Sequence, residues 1–247
     1  MDIAHKSIKD LDKALNLHFN DIALLETAFT HRSVMNETTQ GSRKIKGAGA
    51  EKRIHNERLE FLGDAVLELI ISEYLFHTYP NHPEGDLTSF RAATVRTETL
   101  ADTARKLHLG DYLRMSKGEA LTGGRDKDYL LANTFEALLG AIYIDQGYEA
   151  CKDFVHKHLV PKIQTIVENR LDIDAKTKFQ EVAQAHFRQT PTYKLVKAEG
   201  PDHDRTFTME VYVGKKAFGK GVGKTKQRAE EAAAKEGLTK FKTTTVA

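Results

Sequence analysis

Three carboxylates in the run His55-Asn56-Glu57-Arg58-Leu59-Glu60-Phe61-Leu62-Gly63-Asp64-Ala65-Val66-Leu67 are spaced for metal chemistry. On a helix turning about 100° per residue, Glu57, Glu60 and Asp64 stand at i, i+3 and i+7, within a sector of roughly 60°. Like charges placed side by side repel. A hard divalent cation with oxygen ligands, Mg²⁺ above all, is their natural counter-ion. A solvated acidic helix face is the alternative, and this segment alone does not decide between the two. Glu68 falls on the same face as Glu57 and Asp64, so position there does not by itself make a ligand.

A second acid lies in Tyr129-Leu130-Leu131-Ala132-Asn133-Thr134-Phe135-Glu136-Ala137-Leu138-Leu139-Gly140-Ala141-Ile142-Tyr143. This stretch is apolar nearly all round, which predicts a buried helix. Glu136, with Asn133 as its i−3 neighbour, is then a carboxylate that must be paired or metal-bound. Small Gly140 and Ala141 would let another helix approach closely. Packed against the first helix, this one would bring Glu60, Asp64, Asn133 and Glu136 to one cation. Neither a Ser/His/Asp nor a Cys/His arrangement offers a protein nucleophile. Cys151 is the only cysteine, which excludes an internal disulfide and a thiolate-held metal and fits a reducing, cytoplasmic setting.

The elements that must position these acids are helical. Residues 7–29 read as two short helices, with Leu11, Leu15 and Leu17 on the first and Leu24, Leu25, Ala28 and Phe29 on the second. The acidic helix runs from about Asn56 to Tyr79, stopped by Pro80 and Pro83, with Leu59, Leu62, Val66, Leu69 and Ile70 facing the core. After a turn at residues 81–86, Leu87 to Leu107 mark two more helices, and 117–125 reads as a glycine-bearing turn. Residues 36–53, rich in Gly, Ser, Thr and Lys/Arg, read as a surface loop, either a tolerated insertion or a contact to a phosphate backbone. No strand pattern occurs in the first 170 residues.

The 247 residues suffice for two domains. The absence of a long apolar run argues against a membrane span, and no signal-peptide pattern is visible at the N-terminus. The net charge of +2 hides an asymmetry. Residues 174–247 hold 15 Lys+Arg and 9 Asp+Glu of the totals of 37 and 35, leaving 22 and 26 in residues 1–173. The back part suits a polyanion and the front part suits cations.

The run from Asn56 to Leu67 resembles the signature of the ribonuclease III family. Leu131 to Ala141 resembles its second acidic motif, and Thr30-His31-Arg32-Ser33 and Glu84-Gly85-Asp86-Leu87 match it in order and spacing. The resemblance implies an all-α endonuclease domain over 1–168 that hydrolyses double-stranded RNA with Mg²⁺, Mn²⁺ substituting. It implies Glu60, Asp64 and Glu136 as metal ligands, Asp64 and Glu136 among them catalytic, and Asn133 as an auxiliary ligand. Glu57 and Glu84 would act in the outer shell or at a second metal, or else serve in salt bridges to Arg58 or Arg91. Members with one such domain work as homodimers, which makes Phe61 an expected dimer contact. The substrates implied are ribosomal RNA precursors and messengers, in the cytoplasm, with DNA left uncut.

After a polar linker at 169–174, residues 175–243 change style. A helix over 176–189, carrying Phe179, Val182, Ala183 and Phe187 inside, precedes strands at 191–197, 206–213 and 215–222. The second alternates cleanly, Phe207, Met209, Val211 and Val213 against Thr206, Thr208, Glu210 and Tyr212. A last helix buries Ala229, Ala232, Ala233 and Leu238. This α-β-β-β-α order resembles a double-stranded-RNA-binding domain, which makes the whole chain an all-α domain followed by a small α+β one. By that resemblance Thr177, Gln180 and Gln184 meet one minor groove of the duplex and His203 the next, while Lys224, Lys226 and Arg228 span the phosphates between them. Helix N-termini already favour phosphate at such places. Such domains usually carry two adjacent basic residues where this chain has Lys226-Gln227. Two rivals to the nuclease are a non-catalytic double-stranded-RNA-binding regulator and a metal-dependent phosphohydrolase of small molecules. Joint presence of Glu60, Asp64 and Glu136 opposes the first, and the basic module opposes the second.

Overall fold

The computed structural model describes residues 6–35, 55–201 and 204–244, the last three of these without their side chains. The chain forms two compact units, Met1–Asn169 and Arg170–Ala247. Unit one is helical: α1 (Ile8–Leu15), α2 (Ile22–Ala28), α3 (Glu57–Thr78), α4 (Glu84–Val95), α5 (Thr97–Lys106), α6 (Lys117–Leu121), α7 (Asp128–Gln146), α8 (Tyr148–His158) and α9 (Val160–Asn169). The predicted loop at 36–53 lies outside the described residues.

The acidic helix α3 and the apolar helix α7 form the axis of this unit. Helix α7 buries 11 of its residues, among them Phe135, Leu138 and Leu139. The two helices cross at glycines. A Cβ on Gly63 would stand 1.7 Å from the Glu136 carbonyl oxygen, and one on Gly140 2.1 Å from that of Leu59. Only hydrogen fits there, so the backbones touch, and the small-residue expectation at Gly140 is met by a second glycine on the partner helix. The C-terminal end of α7 is fixed as well: the Asp145 carboxylate accepts the N–H groups of Asn20 and Asp21, each at 2.9 Å, at the start of α2.

Several local readings are corrected. Leu69 is 58% exposed rather than core-facing. The buried stripe of α3 is centred on Gly63 and takes in Leu67 and Ile71, which leaves Leu69 on its outer edge. Helix α4 begins at Glu84, not at Leu87, because Pro83 stands at its N-cap, where no N–H is needed. The segment read as a turn at 117–125 contains α6 and a short 3₁₀ turn (Gly124–Asp126), since the Ser116 hydroxyl accepts the Glu119 N–H at 3.2 Å and starts a helix. Leu17 lies beyond the end of α1, although it is buried. The only extended pairing among the described residues of this unit is an isolated parallel bridge between Thr30 and Arg114.

Unit two runs α10 (Ala175–Phe187), β1 (Thr192–Glu199), β2 (Thr206–Val213), β3 (Lys216–Gly223), α11 (Lys226–Thr244). Its antiparallel sheet has the order β1-β2-β3, with Tyr193 opposite Val211 and Val211 opposite Gly219. Met209, Val211 and Val213 are buried, as the alternation of β2 predicts. Glycines again set the packing: a Cβ on Gly221 would meet the Ala233 nitrogen at 2.1 Å, so β3 lies directly on α11. Phe179, Phe218 and Phe241 form the aromatic core, with Phe218 and Phe241 stacked at 4.9 Å. Phe187, expected inside, is exposed. Its ring still tilts against Phe218 and Phe241 at 5.4 and 5.5 Å, but the helix ends there, with Arg188 in the left-handed region, so its other side is left uncovered by the described residues. Val182, Ala232 and Leu238 are half-buried, and Ala234 takes a core place.

Candidate active site and nucleic-acid interface

The glycine crossing delivers Glu136 and Asn133 of α7 to the acidic face of α3. Asn133 lies beside Glu60 and favours the ionised form of its carboxyl. Glu60 is half-buried, and its carboxyl is held above the ordinary range first by burial, then by the charges of Glu57 and Asp64. Glu136 is the extreme case. Burial first, and the charges of Asp64 and Glu60 second, push its carboxyl up to about 8. No lysine or arginine among the described residues relieves either group. Asp64 is exposed. Glu60, Asp64, Asn133 and Glu136 are therefore neighbours across the crossing of α3 and α7.

Glu57 lies one turn before Glu60 and pairs with Arg32 at 3.1 Å and with His55 at 3.7 Å. Its salt bridge therefore goes to Arg32, not to Arg58. Glu84 accepts the Thr88 hydroxyl at 2.8 Å on its own helix and shares a concavity with Leu69, Phe76 and Arg91. Arg91 turns instead to the Ser72 hydroxyl at 2.9 Å. Phe61 is 81% exposed on α3, beside an apolar groove lined by Leu24, Leu62 and Ile144. Sequence reasoning missed Arg32 as a partner of the acidic face; the motif that holds it is visible in the sequence, but its target is not.

Whether the acids suit a metal can be judged from the donor set. Among the described residues no group of three or more His, Cys, Asp or Glu is drawn close enough to hold an ion as it stands. The donors are nonetheless all hard oxygens, the set that Mg²⁺ takes. Their mutual repulsion, expressed in the raised Glu60 and Glu136, is what a divalent cation removes. In donor type and charge, then, the residues fit such a cation.

In unit two, Thr177, Gln180 and Gln184 are exposed on α10. Asp174 caps that helix, accepting the Lys176 and Thr177 N–H groups at 2.9 and 3.0 Å and the Thr177 hydroxyl at 2.8 Å. Thr177 and Gln180 line one concavity with Tyr193 and Gln227. Lys226 and Arg228 are exposed in the first turn of α11, where Thr225 caps the Arg228 N–H at 3.2 Å. Lys224 is engaged by Asp204 at 2.6 Å. His203 lies outside the described residues.

Comparison with known proteins agrees with this construction. Residues 21–163 match the family model described as ribonuclease-III-like, and residues 175–240 match the double-stranded RNA binding motif. Proteins named Ribonuclease 3 from Oceanobacillus iheyensis and Enterococcus faecalis are 43% identical over 231 residues and 45% identical over 229. These matches cover 94% and 93% of this chain, and 96% and 95% of the respective relatives. The solved nuclease domain of ribonuclease III from Campylobacter jejuni is 38% identical with a TM-score of 0.54, covering 63% of this chain and 97% of its own. The chain belongs to the ribonuclease III family. It is an endoribonuclease for double-stranded RNA, with a helical nuclease domain followed by an α-β-β-β-α RNA-binding domain. The family is metal-dependent, and no helix among the described residues is long and apolar enough to cross a membrane.

Proposed function

We propose that Glu60, Asp64 and Glu136, with Asn133 as auxiliary ligand, hold the Mg²⁺ with which this enzyme hydrolyses phosphodiesters of double-stranded RNA, leaving 5′-phosphate and 3′-hydroxyl ends. Mn²⁺ substitutes for it. When bound, such a cation acidifies water and offsets charge developing on the phosphate. Asp64, exposed, faces the incoming backbone, while Glu136 supplies a deep ligand. Asn133, beside Glu60, offers its carbonyl oxygen to the cation. Glu57 and Glu84 act outside this set. The observation that carries the reading is the glycine crossing of α3 and α7, which sets the half-buried Glu136 against Glu60 and Asp64 with no basic partner among the described residues.

Phe61, Leu69 and Phe76 lie within roughly 80° of one another around α3 and are 81%, 58% and 67% exposed. An apolar stripe of that length supports a homodimer with Phe61 as a contact. The nuclease domain of ribonuclease III from Campylobacter jejuni has a region involved in dimer formation. In the RNA-binding domain, taken as 175–243 after a linker at 169–174, Thr177, Gln180 and Gln184 meet a minor groove, and Lys224, Lys226 and Arg228 the phosphates. The setting is cytoplasmic processing of ribosomal RNA precursors and turnover of messengers.

The test is cleavage of a long perfect RNA duplex with Mg²⁺, beside a Glu136→Ala variant and a DNA duplex. Short 5′-phosphorylated RNA duplexes, a variant that binds without cutting, and intact DNA are expected. A wild type that binds the duplex but cuts with neither Mg²⁺ nor Mn²⁺ would make the acids structural and the protein a regulator.

A further inference from the structure

The motif Thr30-His31-Arg32-Ser33 has no place in the chemistry above, yet it is bonded on both sides. The Thr30 carbonyl accepts the Asn56 N–H at 2.9 Å, and Asn56 is the buried N-cap of the acidic helix. The His31 N–H donates to the Arg114 carbonyl at 2.9 Å, and the Arg114 N–H to the Phe29 carbonyl at 2.8 Å. The Ser33 hydroxyl accepts the Ser116 N–H at 2.9 Å and lies 2.9 Å from His31 Nδ1. Thus the segment is clamped between the stretch 114–116 and the start of α3. Arg32 is the member that reaches outward, its guanidinium 3.1 Å from Glu57 Oε1.

We propose that this motif is a positioning element of the acidic site, with Arg32 the fixed counter-cation that commits Glu57 to the outer shell. The inference rests on the metal reading of Glu60, Asp64 and Glu136. The Arg32 and Glu57 side chains are 70% and 46% exposed, so the pair adds little to stability and its placement matters for charge instead. Of Glu57, Glu60 and Asp64, only Glu57 is paired with an arginine among the described residues, and that arginine is held by a backbone already bonded to the helix N-cap. A cation entering the site meets Glu60, Asp64 and Glu136 without a basic partner among the described residues, and Glu57 engaged.

The experiment is Mn²⁺ binding to the full-length, RNA-free protein, read from the free-ion signal by electron paramagnetic resonance. Arg32→Gln returns Glu57 to the cation's field and is expected to tighten binding by up to about fivefold, the span of an exposed ion pair. Arg32→Lys restores the wild-type value. In a Glu57→Gln background, Arg32→Gln has no further effect, because the partner through which it acts is gone. Unchanged or weaker binding in Arg32→Gln, or an effect that persists undiminished without Glu57, overturns the proposal. Glu136→Ala separates the two readings. If it retains full Mn²⁺ affinity, the metal site itself is wrong. If it loses affinity while Arg32→Gln behaves as wild type, only the role of Arg32 falls.

Discussion

Substituting Gly140 by alanine tests whether the helix crossing sets the site. In an ordinary helix interior the change stabilises by about 0.8–1 kcal/mol, since alanine restricts the unfolded chain. Here the added Cβ would lie 2.1 Å from the Leu59 carbonyl oxygen and 2.9 Å from its carbon, where real contacts essentially never fall below 3.0 Å. The obstacle is backbone, not a side chain that can swing away, so α3 and α7 must part by about 1 Å. Overpacking of this kind costs about 1–3 kcal/mol. Taking the upper end, because nothing soft can yield, and subtracting the propensity gain leaves a net loss of about 2 kcal/mol. For a unit of this size that lowers the melting temperature by roughly 4–8 °C. Glu136 is one turn before Gly140, so the same displacement carries it away from Glu60 and weakens Mn²⁺ binding. Differential scanning calorimetry and a Mn²⁺ titration read the two effects. Gly85→Ala is the control, since a Cβ there meets nothing within 4 Å. A Gly140→Ala protein that melts at or above the wild-type temperature with unchanged Mn²⁺ affinity would falsify the close-crossing argument.

The raised Glu136 carboxyl predicts a pH dependence of metal-free stability. Its folded value of about 8 exceeds the ordinary 4.5, so between those limits the folded protein keeps a proton that the unfolded chain has lost. Stability falls as pH rises through this window and levels off above it. Glu136→Gln therefore gains nothing below about 4.5 and most above 8 in metal-free thermal melts; a gain independent of pH rules the coupling out. In the RNA-binding domain, Lys226→Ala and Arg228→Ala should each weaken duplex binding uniformly and reduce the slope of log K against log salt by about 1. Lys224→Ala should do less, since Asp204 engages it at 2.6 Å. Fluorescence anisotropy over a salt series measures this, and a largest loss at Lys224 contradicts it.

Periodicity makes the two key helices legible, and with them the shared face of Glu60 and Asp64 and the burial of α7. Those are properties of one segment at a time. Leu69 departs from its expected place because hydrophobicity reports what a residue tolerates, whereas its exposure follows from where the stripe of α3 is centred. That centre is Gly63, chosen by the partner helix. Likewise the start of α4 at Glu84 depends on Pro83 serving as N-cap, and the short helix α6 on one hydroxyl of Ser116. Local capping of this kind outweighs a glycine-rich appearance.

The depth of the site is legible only in part, for a reason that concerns distance along the chain. Gly140 advertises a close approach, but which residue it approaches is fixed by Gly63, far earlier in the chain, and neither glycine reports the other. The contact of their backbones, not the carboxylate spacing, decides how far Glu136 is buried and how strongly Asp64 and Glu60 act on it. A wider crossing would leave the same acids in the same sequence pattern, hydrated and ionised near their ordinary values. The chemistry of the cluster therefore depends on two residues that carry no chemistry of their own, and exchanging either hydrogen for a methyl should be felt first at the cation.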